Sequence, residues 1–211
     1  TMVGLASGLV LGPLGYTHCC IEDIGVLRSI PNLTIISPAD GLELVKALIA
    51  SFKHNQSVYL RLTGSSNAPI IYEKDYKFEI GKSVTLKKGK DVTIFANGNM
   101  VNIAIEVSKK LKEKKIEASV INVHTIKPID VSVIKKNLKS KLFVSIEEHN
   151  IIGGLGSAIS EVTATYKNSP KHLFFGVNDE YAFSGDYNFL LKKYGLTTEK
   201  ISKKIKDNLK I

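Results

Sequence analysis

Cysteine is scarce in this chain: two among 211 residues, Cys19 and Cys20, side by side. Sequence neighbours rarely meet disulfide geometry, so a scaffold stapled by disulfides is excluded. No Cys-x-x-Cys pair and no histidine cluster offers a metal site. Long apolar runs are missing too; none reaches the roughly 18 residues that span a bilayer. The apolar start, Thr1 to Leu14, lacks the basic flank and cleavage pattern of a secretory leader, and glycines at 4, 8 and 12 interrupt it. The expectation is a protein with no membrane partner, in the cytoplasm, where two reduced cysteines are at home.

Charge is unbalanced, with 29 Lys and Arg against 20 Asp and Glu, a formal +9. Such an excess raises nucleic acid as a partner. The lysines lie mostly on predicted helices, however, as in Lys109-Lys110-Leu111-Lys112-Glu113-Lys114-Lys115, with glutamates between them and no aromatic ladder alongside. They read as a solvated helix face, and no nucleic-acid partner is expected. Apolar residues make up 44%, enough for a packed core in one large domain or two small ones. The chain opens directly into Met2-Val3-Gly4-Leu5, which looks like the middle of a strand. A fragment of a longer protein is the simpler expectation.

Short β-branched runs alternate with helical patterns, which predicts βαβ units and mostly parallel sheets in an α/β fold. Strands are expected at 2–5, 33–36 and 58–60. Between them lie a glycine-rich loop over 6–17, a short helix ended by Pro31, and a helix capped by Asp40. The apolar stripe of that second helix is Leu42, Val45, Leu48 and Ile49. From Thr63 to Lys77 the periodicity lapses into Gly, Ser, Asn and Pro, the best candidate for a linker. The chain therefore divides into 1–66, a linker at 67–78, and a second α/β unit at 79–211. In that unit an extended segment is predicted at 78–86 and strands at 92–95, 118–123, 142–146 and 173–177. Helices are predicted at 100–114, from Pro128 to 138, and at 156–166, with two more at the C-terminus. In the last of these Ile201, Ile205 and Leu209 form a core or interface stripe.

Three segments carry chemistry. Gly12-Pro13-Leu14-Gly15-Tyr16-Thr17-His18 places one imidazole in a glycine-bounded loop ahead of a helix. A neutral histidine there can shuttle protons, or it can simply bond the loop backbone. Tyr59-Leu60-Arg61-Leu62 ends a strand with a guanidinium. Ile146-Glu147-Glu148-His149-Asn150-Ile151-Ile152-Gly153-Gly154-Leu155-Gly156 is a glycine-rich passage from strand to helix. Such a passage can cradle phosphate, yet it lacks the Walker and dinucleotide spacings, and its acidic pair repels anions.

The run Gly15-Tyr16-Thr17-His18, Ile21-Glu22-Asp23, Leu27-Arg28-Ser29-Ile30-Pro31-Asn32-Leu33 and Ser37-Pro38-Ala39-Asp40 resembles the pyrimidine-binding domain of transketolases in order and spacing. Val123-His124-Thr125-Ile126-Lys127-Pro128-Ile129-Asp130, the Gly153 to Gly156 turn and Gly176-Val177-Asn178-Asp179 resemble the C-terminal domain that transketolases share with deoxyxylulose-phosphate synthases and 2-oxo-acid dehydrogenase beta subunits. The resemblance implies the rear half of a pyrimidine-binding domain followed by a transketolase C-terminal domain. It also implies an intact enzyme that moves a two-carbon ketol unit from a ketose, free or phosphorylated, to an aldose. Thiamine diphosphate and Mg²⁺ would be bound across a homodimer interface, and this chain alone would bind neither. The motifs that hold them lie upstream in the family, or on a separate N-terminal subunit. By the same resemblance His18 assists proton transfers at the cofactor, Arg61 contacts the substrate phosphate, and Gly153–Gly156 serves packing and interface. Two positions depart from the family: Leu14 stands where an Asp reads a sugar hydroxyl, and Ala6 where a further His binds substrate. The alternatives are a deoxyxylulose-phosphate synthase, a 2-oxo-acid dehydrogenase beta-subunit fragment, or a non-catalytic dimerisation module.

Overall fold

The computed structural model describes residues 1–64 and 69–209. The end of the first unit at 66 and the start of the linker at 67–68 lie outside the described residues.

The chain opens with β1 (Met2–Gly4), two 3-10 turns (Gly12–Leu14 and Tyr16–His18), α1 (Asp23–Arg28) and β2 (Leu33–Ile36). Then come α2 (Gly41–Phe52) and β3 (Ser57–Arg61). β3 lies between β1 and β2, parallel to both. All of Leu33-Thr34-Ile35-Ile36 is buried, as a β-branched run covered on both faces should be. α2 starts where Asp40 accepts a hydrogen bond from Glu43 N at 2.9 Å, an N-cap.

The orientation of α2 corrects an expectation. Its apolar stripe faces outward, with Val45, Leu48, Ile49 and Phe52 all exposed. The buried face is Glu43, Ala47 and Ser51. Glu43 is drawn in because its carboxylate accepts from Ala39 N, Tyr76 OH and Asn122 Nδ2 at 2.6 to 2.9 Å. A buried acid so well partnered turns the whole helix.

The second unit holds β4 (Val84–Lys87), β5 (Val92–Ala96), α3 (Met100–Lys112), β6 (Ala118–Asn122), β7 (Thr125–Lys127) and α4 (Val131–Lys136). It continues with β8 (Leu142–Asn150), α5 (Leu155–Thr163), β9 (Lys171–Val177), α6 (Tyr187–Lys193) and α7 (Thr198–Leu209). Its sheet runs β4-β6-β5-β8-β9, parallel except for the edge strand β4. Alternation along β5 splits the core: Val92, Ile94 and Ala96 pack beneath α3 and α7, and Phe95 joins Phe143, Ile134 and Ile159 on the other face. Ile201 and Ile205 are fully buried, as their spacing predicts.

β7 was not expected, and it ties the units together. It pairs antiparallel with β2, at the far edge of the first sheet. Ile126 there packs with Ile24, Leu33 and Ile35, while His124 O accepts from Ser37 N at 2.7 Å. The helix predicted from Pro128 shrinks to α4, since Asp130 caps it through Ser132 N and Val133 N. The described part of the linker has no regular structure yet is held fast. Ile71 N and Tyr72 N donate to Asp40, and Tyr72 stacks on Tyr76 with centroids 4.1 Å apart.

Candidate active site

Loop 5–20 leaves β1 through Ala6, whose φ of 57° is left-handed for a non-glycine residue. It returns at Cys20, which bridges Ser7. His18 closes the second 3-10 turn and is exposed, with Nδ1 3.0 Å from Thr17 Oγ1. It stands in its own turn ahead of α1, which begins at Asp23. Leu14 closes the first turn with 59% of its surface exposed. Both residues thus present side chains to solvent on one short, folded loop.

Arg61 is placed differently from the expectation. Its side chain is 3% exposed. Nε donates to Asp23 Oδ1 and Oδ2 at 3.1 and 2.9 Å, and Nη2 donates to the carbonyls of Cys20 and Glu148 at 3.2 and 3.0 Å. Tyr59 OH donates to Asp23 Oδ2 at 2.8 Å. Asp23, two residues beyond Ile21, thus takes the Nε edge of the guanidinium from inside the protein, at the residue the resemblance assigns to a substrate phosphate. Burial pushes the Asp23 carboxyl up, but the Arg61 charge and the Arg61 and Tyr59 hydrogen bonds outweigh it and hold it below the usual range. Burial is the largest influence on the Arg61 guanidinium and lowers it, but the Asp23 charge and hydrogen bond, with the Glu148 and Tyr59 charges, together outweigh it and raise it.

The strand end Glu147-Glu148-His149 completes this cluster from the second unit. Glu147 accepts from Leu155 N and Gly156 N at 2.6 and 2.9 Å. The N-terminus of α5, where a phosphate could sit, is thus filled by the protein's own carboxylate, and the glycine turn serves packing. Gly154 is required there, since a Cβ would collide with Glu147. Burial, partly offset by those two N–H groups, pushes Glu147 up to about 7. His149 Nδ1 donates to Asn150 O at 2.6 Å and Nε2 accepts from Gly25 N at 3.2 Å, which assigns one neutral tautomer. Burial first, and the Arg61 charge second, lower its pKa to about 4.

Asp23, Tyr59, Glu148 and His149 were missed as a cluster. The signal was present in two acidic steps, Glu22-Asp23 and Glu147-Glu148, each beside buried apolar residues. Only the fold shows that they meet. A surface cleft of about 670 Å³ lies elsewhere, between β4 and α4, and is rimmed by Lys77, Lys82, Lys88 and Lys136. Among the described residues no group of three or more His, Cys, Asp or Glu side chains could hold a metal ion. No helix among them is long and apolar enough to cross a membrane.

Comparison with known proteins gives concordant matches. The family model for the transketolase pyrimidine-binding domain matches residues 1–68, and that for the transketolase C-terminal domain matches residues 81–201. A chain of Methanocaldococcus jannaschii, named as a transketolase C-terminal section, is 38% identical over 211 residues, 99% of this chain and 66% of that one. The 1-deoxy-D-xylulose-5-phosphate synthase of Methylacidiphilum infernorum is 35% identical over 197 residues, 92% of this chain and 31% of that one. A solved split-gene transketolase, described as an inactive β4 tetramer, superposes with a TM-score of 0.84 at 32% identity, over 97% of this chain and 64% of that one. The chain therefore spans about two thirds of the first relative's length.

Proposed function

The chain belongs to the transketolase family, and we propose that it is the C-terminal part of a thiamine-diphosphate-dependent transketolase that moves a two-carbon ketol unit from a ketose phosphate to an aldose. One observation carries the proposal: His18 stands exposed on a short hydrogen-bonded loop, so its imidazole is free to meet a cofactor and substrate brought from outside the chain. When bound, thiamine diphosphate supplies the carbanion chemistry. The chain's own His18 then holds or moves a proton beside it, as a positioned acid or base. Leu14 faces the sugar and selects against a donor that needs a hydrogen bond at that point. Arg61 acts from behind the surface, holding Asp23 and the carbonyl of Cys20.

We place the diphosphate and Mg²⁺ ligands outside this chain, on an upstream segment or a separate N-terminal subunit, with 1–66 and 79–211 as the two units here. The outward face of α2 exposes Val45, Ile49 and Phe52, and the edge strand β1 exposes Met2 and Val3. Exposed apolar side chains of this kind support homodimer or subunit contact. Two free cysteines, one of them exposed, agree with a reducing cytoplasm. A second reading, deoxyxylulose-phosphate synthase, is favoured by the match over 92% of the chain.

Two measurements test the proposal. Calorimetry on the isolated chain with Mg²⁺ should give no micromolar binding of thiamine diphosphate; saturable binding there refutes the placement of its ligands. In the complete enzyme His18→Ala should lower kcat by about 10² to 10⁴, the contribution of a positioned acid or base. An unchanged rate removes His18 from the chemistry. Formation of a 1-deoxy product in place of ketol transfer selects the second reading.

A further inference from the structure

The His18 loop folds on itself through short internal hydrogen bonds. The amides of Gly12, Gly15, His18 and Cys19 donate to the carbonyls of Leu9, Gly12, Gly15 and Tyr16 at 2.9 to 3.2 Å. Gly8 N closes its base on Cys20 O at 2.7 Å. Those bonds shape the loop. Ser7 N ties its start to Leu62 O in the first unit at 3.0 Å, and its middle is tied to the second unit through Glu148 on β8. Its Oε1 accepts from Leu9 N at 2.5 Å, and its Oε2 accepts from Tyr187 OH on α6 at 2.8 Å. The side chain is buried, and Arg61 Nη2 holds its carbonyl. Gly8 adopts a φ of +76° and lies so close that a Cβ would fall 2.5 Å from Glu148 Oε1. Gly185 N, beside α6, adds a bond to Gly12 O at 3.0 Å.

We propose that Glu148 is a positioning residue for His18: its carboxylate spans Leu9 and Tyr187 and so sets where the loop, and the imidazole on it, stands. The second unit thereby enters the chemistry without touching the reacting atoms. The inference rests on the catalytic role given to His18 above, but its first test does not. A buried N–H that loses its acceptor is costly, and the cost falls where the loop is anchored. In the isolated chain, Glu148→Ala should speed amide exchange at Gly12, Gly15, His18 and Cys19 by about ten- to a hundredfold. The core amides of Ile94 and Val144 should change by less than about threefold. Glu148→Gln keeps an acceptor oxygen and should restore wild-type protection. Tyr187→Phe removes one anchor with little change of volume and should speed the loop selectively by a smaller factor. It decides the matter if Glu148→Ala does not fold. Equal acceleration of loop and core, or protection unchanged in both variants, overturns the proposal.

The second test uses the complete enzyme. Glu148→Ala, or Tyr187→Phe in its place, should lower kcat with little change in KM, and should cost nothing further in a His18→Ala background. Losses that add show that Glu148 acts other than through His18 and overturn the proposal. If His18→Ala alone is silent, the catalytic role of His18 falls, while loop exchange still decides whether Glu148 positions the loop.

Discussion

Replacing Arg61 separates a buried organiser from a surface phosphate contact. Arg61→Ala removes the charge opposite Asp23, whose side chain is 7% exposed, and takes the donor from the carbonyls of Cys20 and Glu148. Breaking a buried ion pair from one side costs about 3 to 5 kcal/mol, because the remaining charge has no partner. The loss should also depend on pH. In the native protein Asp23 is held below its ordinary 3.8, so its contribution is present above that value and fades as pH falls through the folded pKa. Without Arg61, burial dominates and raises the carboxyl above 3.8, so the variant gains stability as pH falls and Asp23 takes a proton. The gap between the two proteins should therefore be widest near pH 7 and narrow below about pH 4. Urea unfolding of the isolated chain at several pH values measures it. Asp23→Asn combined with Arg61→Met, which removes both charges, should recover much of the loss. A deficit under about 1 kcal/mol at pH 7, or one that does not narrow in acid, would mean that the guanidinium is exposed and free for an anion.

Two further outcomes follow from buried and exposed side chains of opposite character. His172 stacks on Phe174, and burial alone lowers its pKa to about 4 from 6.5, so it disfavours the native state as pH falls from 6.5 toward 4. His172→Phe should shift the stability difference in the variant's favour by about 3 kcal/mol between pH 7.5 and 4, read by urea unfolding; a pH-independent difference refutes the buried neutral imidazole. Leu14→Asp should raise kcat/KM for common ketose phosphates relative to the native donor in the complete enzyme, since an unpaired hydroxyl costs about 1 to 3 kcal/mol. An unchanged donor ranking shows that position 14 does not read the sugar.

Much of the architecture was legible in the residues. Apolar, β-branched-rich runs such as Val92-Thr93-Ile94-Phe95 and Leu33-Thr34-Ile35-Ile36 announce buried strands, and both are found buried, the second parallel to β3 and antiparallel to β7. The helix at Gly41 begins at the Asp40 that local capping chemistry selects. The alternation of strands and helices, the C-terminal stripe of Ile201 and Ile205, and the family resemblance are all properties of neighbours in sequence, and local propensity suffices for them.

The site is another matter. His18 and the exposed loop could be named from sequence, but what fixes the loop could not, because Glu148 and Leu9 are far apart along the chain and meet only when β8 is laid against the first unit. The fate of Arg61 depended on whether Asp23 would reach it first, which a strand-end guanidinium does not disclose. The apolar stripe of α2 read as core because periodicity marks which residues share a face, not which way that face points. Direction was set by Glu43, whose partners Tyr76 and Asn122 come from the linker and from β6. β7 likewise has no distinct signature, being three residues that form a strand only because β2 offers an open edge. Short-range chemistry determined the elements and their order. Long-range pairing of buried polar groups, each costly to leave unsatisfied, decided how the two units lock and where the His18 loop stands.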